Sequence, residues 1–213
     1  MGPPGSGKDT QAELLARELK LVEIKSSHLI EQKFSNTDSA DTIMAEQKRK
    51  YQNGGLVDSK MVEGWVLEAI TAASAAGKGI ISNGWPRRIQ EAAIEMATVE
   101  KHYGKENIKV VSITLNEDET VKRNSKRRVC QANGHPIWDT QENEGITTCP
   151  EDGSPIITRA DDTPETIKKR YQVYLSETAP ILDFLTQKGY NVITIDGEHP
   201  IEDVHRSILN KLW

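Results

Sequence analysis

The sequence predicts an α/β fold, a doubly wound parallel sheet with helices on both faces. Three observations carry this. Short apolar runs, "LVEI" at 21–24, "GII" within 77–88, "IKVVSITL" at 108–115 and "YNVITI" at 190–195, read as strands. Between them lie longer segments whose apolar residues recur at helical spacing, and strands alternating with helices imply parallel strands joined by right-handed crossovers. A glycine-rich loop near the start runs straight into the first helical pattern.

Taken in order, Ala12, Leu15, Ala16 and Leu19 mark a helix after that loop. The polar stretch 25–53 carries a weak helical pattern and stops at Gly54-Gly55. From Ser59 to Ala76 the stripe Val62, Trp65, Val66, Ala69, Ile70, Ala73 predicts a helix with a core-facing side, ended by Gly77. "GKGIISNGWPRR" gives a short buried strand and a sharp turn, and 88–103 a helix ending at Gly104. Residues 117–128 read as a basic helix that sets Arg123 and Arg127 on one face, four apart. Between Cys130 and Arg159 the pattern breaks into Gly, Pro, Asn and Asp clusters, which suits a loop-rich insertion. Thr163-Pro164 opens another helix with proline at its first position, Pro180 either divides or kinks it, and 201–212 closes the chain as a helix. The core is expected at 1–24, 58–125 and 163–213, with insertions at 25–57 and 126–162.

Composition narrows the class. A chain of 213 residues is one domain with room for a buried core, and 36% hydrophobic with 28% charged residues is polar but not disordered. The net charge of −5 supplies no basic field for nucleic acid. No apolar run approaches the ~20 residues of a membrane span, and two cysteines suit a reducing compartment. A cytoplasmic protein is expected.

"GPPGSGK" has the spacing G-x-x-x-x-G-K at Gly2, Gly7 and Lys8. Glycines allow backbone N–H groups to turn inward around phosphate oxygens. The following helix aims its positive end at the same anion, and Lys8 adds a point charge. Gly5, Ser6, Gly7, Lys8, Asp9 and Thr10 are therefore the expected contacts of a nucleoside triphosphate. Asp9 departs from the usual Ser or Thr after the lysine, and a carboxylate there repels phosphate unless it faces away or meets Mg²⁺.

Four stretches, "GPPGSGKDTQA", "NGWPRR", "KRNSKRR" and "RADDTPETIKKR", with "GGLV" before Asp58 and "DGEHP" near the end, occur in this order in the chain. In this the chain resembles adenylate kinases and related nucleoside monophosphate kinases over its whole length. The resemblance implies a P-loop kinase that transfers a phosphoryl group from Mg²⁺·ATP to a monophosphate, with two mobile insertions closing over the site. It implies Lys8 on the donor phosphates, Arg87 on the acceptor monophosphate, Arg123 on the donor side, and Arg127, Arg159 and Arg170 around the transferring group. It adds Ile137, Trp138 and His199 to the ATP side. On the acceptor side it adds Ser26, Gly55, Leu56, Val57, Gly84, Trp85, Pro86 and Glu91. Similar kinases of this size are usually monomers.

Departures fall on the acceptor side. Glu31 stands where the family pattern has an arginine, Glu91 where it has a base-reading glutamine, and Asn83 where it has an aspartate near Mg²⁺. Lys25 and Lys33 are candidate substitutes for the lost arginine. AMP is the expected acceptor, with UMP or CMP the alternative, and a nucleotide-binding relative with impaired turnover a second class. In the 126–162 insertion many similar kinases hold zinc with two C-x-x-C pairs. Here the positions are Cys130, Asn133, Cys149 and Asp152, with His135 nearby, so a zinc site of Cys130, Cys149 and Asp152 competes with a metal-free hydrogen-bonded cluster. Finally, similar kinases lead into the phosphate loop from a buried central strand, whereas only Met1 precedes Gly2 here. The first strand is expected to be missing, leaving unpaired edges in the sheet.

Overall fold

The computed structural model describes residues 1–36, 41–52, 57–132, 134, 136–137, 143–159 and 162–212. Helix α1 (Lys8–Glu18) follows the glycine loop, and strand β1 (Val22–Lys25) leads directly into α2 (Ser26–Ser35). Then come α3 (Thr42–Gln52), α4 (Ser59–Ala75), β2 (Ile80–Asn83), α5 (Ile89–Tyr103), β3 (Val110–Thr114) and α6 (Glu117–Ser125). Asp58 caps α4 by accepting from the N–H groups of Lys60 and Met61. A small antiparallel sheet follows from β4 (Arg128–Cys130), β5 (Pro136–Ile137) and β6 (Ile156–Thr158), ordered β5-β4-β6. The chain closes with α7 (Pro164–Val173), α8 (Pro180–Gln187), β7 (Val192–Asp196) and α9 (Ile201–Leu212). Between α7 and α8 the helix widens into one π turn over Tyr174–Thr178, because Pro180 has no N–H to continue the α ladder.

The α/β class is as expected. The parallel strands form two ribbons, β1-β2 and β3-β7, and among the described residues no ladder joins β2 to β3. Met1 alone lies along β3: its amino group donates to Val111 and Ile113 N–H donates to its carbonyl at 2.8 Å. Side chains span what the ladders do not. Leu15 of α1 packs with Ile113, Ile193, Ile195, Val204 and Ile208, with Ile81 of the other ribbon against them. A second cluster, Ile24, Val66, Ile70, Trp85 and Val99, seals the β1-β2 side. The stripe predicted for α4 is core, with Val66 and Ile70 fully buried. Phe34, Val57 and Trp65 anchor α2 and α3 to α4, and Cys130, Ile137 and Cys149 form the centre of the antiparallel sheet. No helix among the described residues is long and apolar enough to cross a membrane.

One buried group fits this packing poorly. Glu95 of α5 is 2% exposed, and its Oε2 has no hydrogen-bond partner. Burial, then the charges of Glu91 and Glu63, pushes its carboxyl up to about 8. The folded chain holds this proton more tightly than the unfolded chain. The contribution to stability is intact below the ordinary value of 4.5 and is lost as pH rises through about 8. Glu95→Met is expected to raise stability at about pH 9 by on the order of 2 kcal/mol, with the gain shrinking towards pH 5. Thermal melts across that range measure it.

Candidate active site

The site gathers at the carboxyl ends of the parallel strands, where an open α/β sheet exposes a crevice. Its floor is the phosphate loop. Gly7, at φ 85°, ends the loop and starts α1, while Gly5, at φ 77°, meets the side chain of Asn124 so closely that an added Cβ would lie 2.4 Å from Nδ2. Both positions thus require glycine, Gly5 for space as well as backbone angle. Asn124 is 1% exposed and donates to Thr120 O at 2.8 Å, so the loop rests on the helix that carries Arg123. Lys8 reaches back to Pro3 O at 3.4 Å.

Charge concentrates above this floor. Burial lowers the Lys8 pKa, with Asp9 opposing and Arg87, Arg127 and Arg170 adding to the decrease. Asp9 feels the reverse: burial raises its carboxyl, but Lys8, Lys25, Arg127 and Arg87 outweigh burial and hold it below the usual range. Arg127 also feels Arg159 and Arg170. Lys8, Asp9, Arg87, Arg127 and Arg170 are therefore one electrostatic unit, drawn from α1, the turn after β2, the entry to β4, and α7.

Asp162 holds two of these cations. Arg127 grips it with Nε to Oδ2 at 2.9 Å and an Nη at 2.8 Å from Oδ1, and Arg170 donates to Oδ1 at 3.1 Å. The carboxylate is 3% exposed. Sequence reasoning missed this role, although Asp162 stands inside "RADDTPETIKKR", where a carboxylate between two motif arginines was the available signal.

At the ends of β1 and β2, Gly84 at φ 81° brings Ser26 and Arg87 together: Ser26 Oγ donates to Gly84 O at 3.4 Å and Arg87 Nε donates to the same oxygen at 2.9 Å. Glu91 accepts the Arg87 backbone N–H at 2.9 Å, so its carboxylate caps the turn before α5. Asn83 donates to Glu23 at 2.6 Å. Of the substitute cations, Lys25 lies beside Asp9 while Lys33 pairs with Glu68 of α4, away from the site. A cavity of about 450 Å³ opens here, lined by Asp9, Glu13, Glu23, Lys25, His28, Glu31, Pro136 and Glu151. Burial pushes the Tyr51 hydroxyl up, with the charge of Glu31 adding to this and that of Arg159 opposing it.

Several expectations need correction. Arg127 does not share a helix face with Arg123, because α6 ends at Ser125 and Arg127 N–H closes a turn onto Asn124 O as the chain leaves for β4. Arg123 instead pairs with Glu119 at 3.1 Å, one helical turn back. Trp85 buries its ring in the core and donates from Nε1 to Ile24 O at 2.7 Å, and Ile137 packs inside the antiparallel sheet. His205, expected at the surface, is clasped between Gln11 and Glu18, at 3.0 and 2.8 Å. Gln11 in turn donates to Ile201 O, tying α1 to α9. His199 stands exposed, 3.4 Å from Asp196. Val57 is buried against Phe34 and Trp65. Gly55, Leu56, Asn133, His135 and Trp138 lie outside the described residues.

Comparison with known proteins now decides the family. The profile of the adenylate kinase family matches residues 1–190. The chain belongs to the adenylate kinase family. It is 32% identical to an adenylate kinase of Chlamydia trachomatis over all of this chain and 88% of the relative. It is 33% identical to one of Dehalococcoides mccartyi over all of this chain and 95% of the relative, and 34% identical to one of Streptomyces griseus over 96% and 91%. Within this family member, the antiparallel sheet brings the ligand atoms of Cys130, Cys149 and Asp152 within 4.8 Å of one another. Both knuckle turns form, Gly134 N–H onto Cys130 O and Gly153 N–H onto Cys149 O. Hydrogen bonds from Ser154, its backbone N–H first, hold Asp152 at about 2, so its carboxylate is ionised at neutral pH.

Asp162→Asn is expected to loosen Arg127 and Arg170 together, lowering stability by about 1–3 kcal/mol and raising amide exchange across β4 and β6. Thermal melts and hydrogen exchange of the full chain read both.

Proposed function

We propose that this chain transfers a phosphoryl group from Mg²⁺·ATP to AMP, ATP + AMP ⇌ 2 ADP. One observation carries the reading: Lys8, Arg87, Arg127 and Arg170, far apart in sequence, converge over a glycine loop that opens a helix. Such transfer asks little covalent chemistry of the protein. It asks that two phosphates be held in line, out of water, with their charge neutralised. In this reading the loop N–H groups and Lys8 hold the donor phosphates, with Arg123 on the donor side after leaving Glu119. Arg87 takes the acceptor monophosphate, and Arg127, Arg159 and Arg170 surround the group in flight. Guanidinium suits this because it stays charged and its planar fork matches phosphate oxygens. Thr10 and the donor phosphates would hold Mg²⁺, which would supply charge neutralisation across the phosphate chain.

The core in this reading is 1–24, 58–125 and 163–213. Segment 25–57 closes on the monophosphate and 126–162 on ATP, excluding water. AMP is favoured over UMP or CMP, although Glu91 as an ionised carboxylate accepts from adenine N6–H₂ but offers no donor to N1. Lys25 beside Asp9 takes over part of the cationic role that Glu31 cannot fill. The reading is of a monomeric cytoplasmic enzyme, and the charge of −5 disfavours nucleic acid as a partner.

A coupled assay with ATP and each of AMP, UMP, CMP and GMP tests this. AMP is expected to give the fastest turnover, and no turnover with any monophosphate would reduce the chain to a nucleotide-binding relative. Arg127→Lys is expected to lower kcat by roughly 10²–10³-fold with a smaller change in the KM for ATP.

One finer reading concerns stability. For the Cys130–Cys149–Asp152 cluster, two thiolates and a carboxylate are donors that zinc accepts. If zinc staples the sheet, metal analysis gives about one ion per chain and chelation lowers Tm.

A further inference from the structure

We propose that Asp9 is a catalytic residue of this chain, whose carboxylate takes the Mg²⁺ that accompanies the donor triphosphate. The inference rests on the ATP-dependent reading above and assigns one side chain within it. Asp9 follows Lys8 in the first turn of α1, so it stands at the mouth of the phosphate loop. Everything else there prepares for an anion: the glycine loop, the helix N-terminus, and the cations Lys8, Arg87 and Arg127 that act on Asp9 itself. A carboxylate in that company works against the arriving phosphates. Like charges held close together in a partly buried setting repel strongly, and a triphosphate brings several charges.

The carboxylate tempers the cations around it and suits the first turn of α1, yet no described residue donates a hydrogen bond to it or pairs with it at ion-pair distance, whereas Glu23, another carboxylate lining the cavity, is engaged by Asn83 at 2.6 Å. Gly7 supplies the start of α1 without any side-chain cap, and among the described residues Asp9 accepts no backbone N–H of that turn. It borders the 450 Å³ cavity instead. Asn83, which ends β2, is neutral, and its amide is already committed to Glu23.

A divalent cation reverses the sign of the problem. Mg²⁺ takes one or two carboxylates together with substrate phosphate oxygens and keeps its remaining waters. The hard oxygen donors Asp9 and Thr10 stand side by side in sequence at the site where the phosphates arrive. With the cation bound, the carboxylate that repels bare ATP attracts the metal complex, so Asp9 selects Mg²⁺·ATP over metal-free ATP.

Titration calorimetry of ATP into the full chain, once with excess Mg²⁺ and once with EDTA, tests this on the wild type, Asp9→Asn and Asp9→Gly, with melts of all three. Both variants are expected to bind Mg²⁺·ATP roughly tenfold or more weakly and metal-free ATP more tightly. The opposite signs are what simple structural damage does not produce. Asp9→Glu is expected to restore part of the preference. Affinities that move in the same direction with and without metal, or stay unchanged in the variants, overturn the proposal. Turnover with AMP is measured alongside. Wild type without turnover but with opposite shifts in the variants refutes the phosphotransfer reading and leaves Asp9 assigned. Wild-type turnover with an unaltered metal preference in the variants refutes only the role of Asp9.

Discussion

Keeping like charges together is the constraint on which this structure turns. Lys8, Arg87, Arg127 and Arg170 crowd one side of the glycine loop, where burial and the three arginines lower the tendency of Lys8 to hold its proton. In a partly buried setting such repulsion amounts to kcal/mol per pair, against a net stability of about 5–15 kcal/mol. Two carboxylates make the arrangement tolerable. Asp162, almost fully buried, binds Arg127 in a fork and Arg170 at its shared oxygen. Asp9 sits among Lys8, Lys25, Arg87 and Arg127 without a hydrogen bond from any described residue. The first is a fixed clamp, and the second is a charge in the first turn of α1, beside the glycine loop.

That clamp also joins the antiparallel sheet to the core. Arg127 precedes β4, Asp162 follows β6, and Arg170 stands on α7, so one carboxylate closes the loop from which the small sheet projects. Removing either arginine would leave a buried charge partly unpaired, which is why the three residues act as a unit. At the far side of the same sheet, Cys130, Cys149 and Asp152 draw the two knuckle turns together. The projection is thus held at its base by ion pairs and at its centre by thiols and a carboxylate.

The parallel strands matter chiefly as a delivery system. β1 ends on Lys25 and Ser26, β2 on Asn83 and Gly84, β3 leads to the helix bearing Asn124, and β7 opens the turn that reaches Ile201. Side-chain packing of Leu15, Ile81 and Ile113 carries the load across the seam between the ribbons, where no ladder connects β2 with β3. On the acceptor side the cavity is lined by more carboxylates than cations, so charge balance there depends on Lys25 and on what enters.

Local chemistry made most elements legible from the residues alone. The stripe of α4, the Pro164 start of α7, the glycine loop and the β-rich runs each follow from spacing and backbone preference, which act within a few residues. The motif arginines were legible as a set for the same reason, because their order along the chain is a sequence property. Their partners were not. Nothing local says that Asp162 rather than its neighbours bridges Arg127 and Arg170, that Arg123 turns back to Glu119, or that His205 lies between Gln11 and Glu18. The end of α6 at Ser125 was equally hidden, since the chain leaves the helix there for β4, whose Arg128 pairs with Thr158 of β6, thirty residues on. Such choices are settled by burial and Coulomb energy between segments far apart in the chain, and those terms exist only once the chain has folded.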